Sequence, residues 1–163
     1  MIVLGIDPGT AVTGYGLIES QDDVALIASG ALVSPARSPI GERLNYLYNG
    51  LLALISQYQP DAVAVEQPFV AKNIRSALAI GRAQAIALLA AAAKGIPAFE
   101  YTPTQIKQRV ANYGAGSKEQ IQEMVKLQLG LSQVPQPNDA ADALAAAICH
   151  VRETHMSNLL TKQ

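Results

Sequence analysis

Ile2-Val3-Leu4-Gly5-Ile6-Asp7-Pro8-Gly9-Thr10 reads as a hydrophobic strand that delivers a carboxylate into a tight turn. The same event recurs at Ala62-Val63-Ala64-Val65-Glu66-Gln67-Pro68, and a third acidic pair, Asp139 and Asp142, opens what reads as the last helix. A sheet with parallel strands gathers such element ends at one edge. Carboxylates grouped there suit hard divalent cations, which take oxygen ligands and drive phosphodiester hydrolysis.

Outward from Asp7, residues 2–7, about 14–19 and about 24–33 form three successive strands joined by Pro8-Gly9-Thr10 and Gln21-Asp22-Asp23, an antiparallel meander. From Ile40 to Gln59 the apolar positions 44, 47, 48, 51, 54, 55 and 58 keep a helical period, which Pro60 ends. The nearly continuous apolar run 61–66 predicts a strand buried on both faces. Asn73 is placed to cap a long helix to Lys94, with Gly95 as its stop. A short strand at 97–101 precedes a helix from Pro103 to Asn112, and Ser117 with Gln120 forms a capping box for a helix stopping at Gly130. Asn138 is read as the cap of a final helix to about His155. The order βββαβαβααα predicts an α/β fold with a mixed five-stranded sheet flanked by helices. Residues 1–155 are expected to form a single domain and 156–163 a flexible tail.

The 163 residues suffice for one domain, which buries roughly 70% of the surface its unfolded chain exposes. Half the residues are apolar and 15% are charged, which excludes a disordered chain. The net charge of −1 lacks the strongly basic signature of many nucleic-acid binders, so any basic footprint must be local. Cys149 is the only cysteine, expected to be a small buried helix residue, and no zinc spacing occurs. The first residues lack a basic stretch and the longest apolar run, Ala83 to Ala93, is shorter than the ~20 residues of a membrane span, so a cytoplasmic protein is expected.

Taken singly, Asp7 lies in an ordinary turn sequence, and Asp139 and Asp142, at i and i+3, fit the favoured acidic first turn of a helix. Glu66 ends a buried strand and would be costly there without a partner. Together, these residues and their neighbours carry a resemblance. Ile6-Asp7-Pro8-Gly9-Thr10 with Thr13-Gly14-Tyr15-Gly16, Val65-Glu66-Gln67 with Phe69 and Ala71-Lys72-Asn73, and Asp139-Ala140-Ala141-Asp142-Ala143-Leu144 closely resemble the RuvC family of Holliday-junction endonucleases, from about residue 2 to 150.

The resemblance implies a ribonuclease H-like fold, a homodimer, and magnesium-dependent nicking of two opposed strands of a four-way DNA junction during recombination and repair. It makes Asp7, Glu66, Asp139 and Asp142 the metal-binding catalytic residues. Two cations per site, magnesium or manganese, roughly 3.5–4 Å apart would generate the nucleophile and stabilise the leaving oxygen. It also implies cooperation with a branch-migration complex, the RuvA and RuvB proteins. Lys107 and Lys118 are placed near the scissile phosphate, Lys118 also as a catalytic residue, although either alone reads as a solvated lysine; a helix N-terminus at Lys118 adds donors for phosphate. Lys72, Arg75 and Arg82 extend a basic track or merely face solvent. Phe69 either staples the following helix or, as the resemblance implies, stacks on a base opened at the junction centre. The small residues at 77, 79, 81, 83, 85 and 87 pack the core and leave part of that helix for the dimer. An actin- or sugar-kinase-like ATPase starts with a similar strand-Asp-turn, but 163 residues leave no second lobe. A binding-only junction module would not need all four acids, and a related nuclease acting on RNA or another branched DNA remains compatible with composition.

Overall fold

The computed structural model describes residues 1–67, 73–111 and 116–161. Strands β1 (Ile2–Asp7), β2 (Val12–Ser20), β3 (Val24–Val33), β4 (Ala62–Glu66) and β5 (Ala98–Tyr101) form one sheet in the order β3-β2-β1-β4-β5. The first three strands are the antiparallel meander, while β4 and β5 join in parallel beside β1. Such parallel additions need crossovers. Helix α1 (Ile40–Tyr58) leads into β4 and α2 (Ile74–Ala93) into β5; then follow α3 (Pro103–Ala111), α4 (Lys118–Gln128) and α5 (Asn138–Leu160).

Strand alternation divides the core. Leu4, Ile6, Val63 and Val65 face α1 and α2, packing with Leu51, Ile55, Ala87, Ala90 and Ala91. Val3 and Ala64 face the other way, against α3, α4 and α5 with Ile106, Val110, Ile121, Val125 and Leu144. As expected, β4 is buried on both faces and Cys149 is buried within α5.

Helix α5 packs closely on the backbone of the sheet. A Cβ at Gly5 would run into the carbonyl of Ala143, one at Gly14 would lie 2.8 Å from the Asp139 Cβ, and one at Gly16 would press on Leu144. Glycine within a strand marks such an approach. These absent side chains let α5 lie directly on β1 and β2.

Helix ends follow their local chemistry. Asn73 accepts from the backbone N–H groups of Arg75 and Ser76, and Ser117 with Gln120 makes the reciprocal capping box. Gly95 and Gly130 take positive φ, as does Gln59 at the end of α1. Two boundaries differ from expectation. Asn138 is the first residue of α5 rather than its cap; Pro137 precedes it, and no side chain caps the helix. The helix also passes His155 and continues to Leu160 as an exposed extension, because neither glycine nor proline interrupts residues 156–160. Helix α2 is, by length and composition, apolar enough to cross a membrane, contrary to the shorter stretch expected, because the residues before Ala83 add to it. It carries Arg75 and Arg82, and its alanines 83, 87, 90 and 91 are buried in the core.

Candidate active site

Asp7 and Glu66 are neighbours because β1 and β4 are parallel and in register. Ile6 pairs with Val65, so the two acids leave adjacent strand ends, about 4.8 Å apart in the pairing direction. Alternation puts Asp7 on the face of Val3 and Gly5, and Glu66 on the face of Ala64. That is the α5 side of the sheet. Gly14 pairs directly with Asp7, and the space left by its missing side chain is taken by Asp139. One helical turn later Asp142 reaches the same place.

The four acids therefore converge from three segments. Burial, then the charges of Glu66, Asp142 and Asp139, pushes Asp7 up to about 8, although Lys118 opposes the rise. Burial and the charge of Asp142 raise Glu66 to about 7, while Lys118, a hydrogen bond from Asp7, and Lys107 act against the shift. Near neutral pH the Asp7–Glu66 pair thus retains proton. Lys118 Nζ stands 2.7 Å from Asp142 Oδ2, and this bond holds the lysine above its ordinary range.

Beside the acids lies a cavity of about 200 Å³ lined by Glu66, Asp142, Lys107 and Lys118, with an apolar wall including Ile106 and Ile121. Lys107 enters from α3 and Lys118 from the first turn of α4. Arg75 lies exposed in the first turn of α2 and Arg82 two turns further on; neither lines this cavity. Phe69 and Lys72 lie outside the described residues.

The donor set fits a hard cation, being four half-buried carboxylates whose like charges converge on one place. Among the described residues no three His, Cys, Asp or Glu side chains are already drawn into a ligating group. Protons on Asp7 and Glu66 and the ammonium of Lys118 instead offset the charge.

Sequence reading missed the polar groups behind the site. Tyr101, paired with Glu66 in the sheet, has its hydroxyl 2.7 Å from Nδ1 of buried His150. Arg109, Gln128, Arg152 and Glu153 tie α3, α4 and α5 together. No periodic signal announces such long-range contacts. The alternation Gly14-Tyr15-Gly16 within a strand was the signal that could have shown the docking of α5.

A mixed sheet of this order, with strand-end and helix-start carboxylates beside two lysines, defines a ribonuclease H-like nuclease. The family model described as "Crossover junction endodeoxyribonuclease RuvC" matches residues 3–150. A crossover junction endodeoxyribonuclease RuvC of Dehalococcoides mccartyi is 58% identical over 163 residues, 99% of this chain and 98% of the relative. The Thermus thermophilus RuvC structure superposes with a TM-score of 0.89 at 34% identity, covering 96% of this chain and 97% of the other. T. thermophilus RuvC in complex with Holliday junction substrate gives 0.87 at 32% identity, with 96% of each chain covered. The chain belongs to the RuvC family of crossover junction endodeoxyribonucleases.

Proposed function

We propose that this protein resolves four-way DNA junctions in recombination and repair by paired phosphodiester hydrolysis, with Asp7, Glu66, Asp139 and Asp142 holding two divalent cations. The convergence of these acids beside Lys107 and Lys118 carries the reading. The likeness to a relative solved with Holliday junction substrate supplies the substrate. Magnesium, with manganese able to substitute, would generate the attacking nucleophile and stabilise the leaving 3′-oxygen.

The chain's own groups prepare that chemistry. Asp7, on the central strand, would be a ligand common to both cations, with Glu66 as a further ligand of one and Asp139 and Asp142 of the other. Protons held by Asp7 and Glu66 must leave before both can act as ligands. Lys118, released from Asp142, and Lys107 offset charge on the scissile phosphate and orient it. Arg75, Lys72 and Phe69 contact DNA beyond the cut, Phe69 by stacking on an opened base.

Two such sites in a homodimer would face opposed strands of a near-symmetric junction. The exposure of Ile74, Leu78 and Leu89 supports the reading of α2 as the dimer interface. The RuvA and RuvB branch-migration proteins are the expected partners, and the cytoplasm the expected location.

The deciding experiment compares a synthetic four-way junction, a linear duplex and a forked duplex, each with magnesium or EDTA, for the native chain and Asp7→Asn. Magnesium-dependent paired nicks in the junction alone, lost in a variant that still binds, are expected. Equal cutting of all three DNAs would remove the junction assignment, and binding without cleavage in any metal would remove the catalytic one.

A further inference from the structure

We infer that Arg152 is a positioning residue for Lys107, acting through the C-terminus of α3; the inference rests on the reading of Lys107 as a phosphate-orienting group. The described part of helix α3 has nine residues, few for a helix to be stable by itself. Its N-terminal end is fixed locally, since Thr102 Oγ1 accepts from Gln105 N at 3.2 Å and Gln105 Oε1 accepts from Thr102 N at 2.9 Å. Its other end is held from outside.

At this end of the described helix, two carbonyls receive side chains from the neighbouring helices. Arg152 Nη1 of α5 donates to the Arg109 carbonyl, and Gln128 Nε2 of α4 donates to the Val110 carbonyl at 2.8 Å. Arg152 Nη2 also donates to Gln128 Oε1 at 2.9 Å, so the two capping side chains brace each other. Arg109 Nε closes the group on Glu153 Oε1 at 2.6 Å. One guanidinium fork thus joins all three helices of this layer, a task a single-point ammonium cannot perform.

Lys107 lies within three residues of both capped carbonyls and lines the cavity opposite α4, which carries Lys118. Loss of the fork lets the end of α3 shift relative to α5. Because α5 also carries Asp139 and Asp142, the shift changes the placement of Lys107 against the carboxylates. A displacement on the order of 1 Å at a positioning group is enough to slow chemistry markedly.

A double-mutant cycle tests this route. Single-turnover cleavage of a synthetic four-way junction at saturating magnesium is measured for the native chain, Arg152→Met, Lys107→Ala and the double variant. Junction Kd and thermal melting are measured beside it. Arg152→Met is expected to slow cleavage about tenfold with Kd changed less than about twofold, and to add less than about twofold in the Lys107→Ala background. Arg152→Lys should not restore the rate. Gln128→Leu, taken through the same cycle, repeats the test should Arg152→Met fail to fold.

Multiplying effects of the two substitutions, a rate loss matched by weaker junction binding, or an unchanged rate in Arg152→Met would each overturn the inference. If Lys107→Ala alone cleaves normally while Arg152→Met is slow, the proposed role of Lys107 is what has failed, and the route through it falls as well.

Discussion

At the scale of single residues, the acids at the strand ends tie folding to pH and to metal. Asp7 and Glu66 titrate higher in the folded protein, at about 8 and about 7, than in the unfolded chain. The folded state therefore binds more protons between roughly pH 4 and 8, and its stability falls as pH rises through that window. In EDTA, the melting temperature should drop from pH 5 to pH 8; magnesium at pH 8 should recover part of it, and Asp7→Asn should flatten the slope. Thermal melting across pH checks this, and a metal-free stability that rises toward pH 8 would contradict the shifts. Lys118→Met tests the opposing charge. Its removal should slow cleavage about 10²- to 10³-fold, the range for one electrostatic donor, and steepen the pH dependence in EDTA. The acids were legible because each stands at a break in a hydrophobic pattern, whereas the pairing of Lys118 with Asp142 joins distant residues and left no periodic trace.

At the scale of elements, the site depends on where α5 rests and on what holds β5 beside β4. Gly14→Ala would push a methyl group against Asp139. We expect a loss of about 1–3 kcal/mol, the usual overpacking cost, with cleavage reduced beyond what instability explains; denaturant unfolding and a cleavage assay separate the two. Tyr101→Phe leaves His150 Nδ1 without its 2.7 Å partner. The cost of an unpaired buried group is about 1–3 kcal/mol, measurable by the same unfolding. Element order and most boundaries followed from periodicity and from Asn73, Ser117 and Gly130. The start of α5 did not, because Asn138 has the composition of a cap but lies inside the helix. The continuation to Leu160 runs against the general fraying of chain termini, and nothing in residues 156–160 breaks a helix.

At the scale of the whole molecule, the sheet separates two tasks. One layer, α3, α4 and α5, supplies the lysines and two acids. The other leaves Ile74, Leu78 and Leu89 exposed along α2, the face proposed for a dimer. Leu78→Glu should shift sedimentation from dimer to monomer and convert paired nicks into single ones; an unchanged dimer would move the interface elsewhere. The sequence showed this helix as rich in small residues, but which of its faces is covered depends on α1 and β4, far away in the chain.

The seating of α5 on Gly5, Gly14 and Gly16 has a mechanical consequence. Ordinary helix–sheet contacts are transmitted through side chains, each with torsions that thermal motion can turn. At Gly5 and Gly14 main chain meets main chain, so few rotatable bonds separate the strand bearing Asp7 from the helix turn bearing Asp139. Position is set by covalent geometry more than by rotamer choice, like a machined seat compared with a sprung one. On warming, the spacing of Asp7 and Asp139 should be the last in the site to drift, and the lysines, on longer levers, the first.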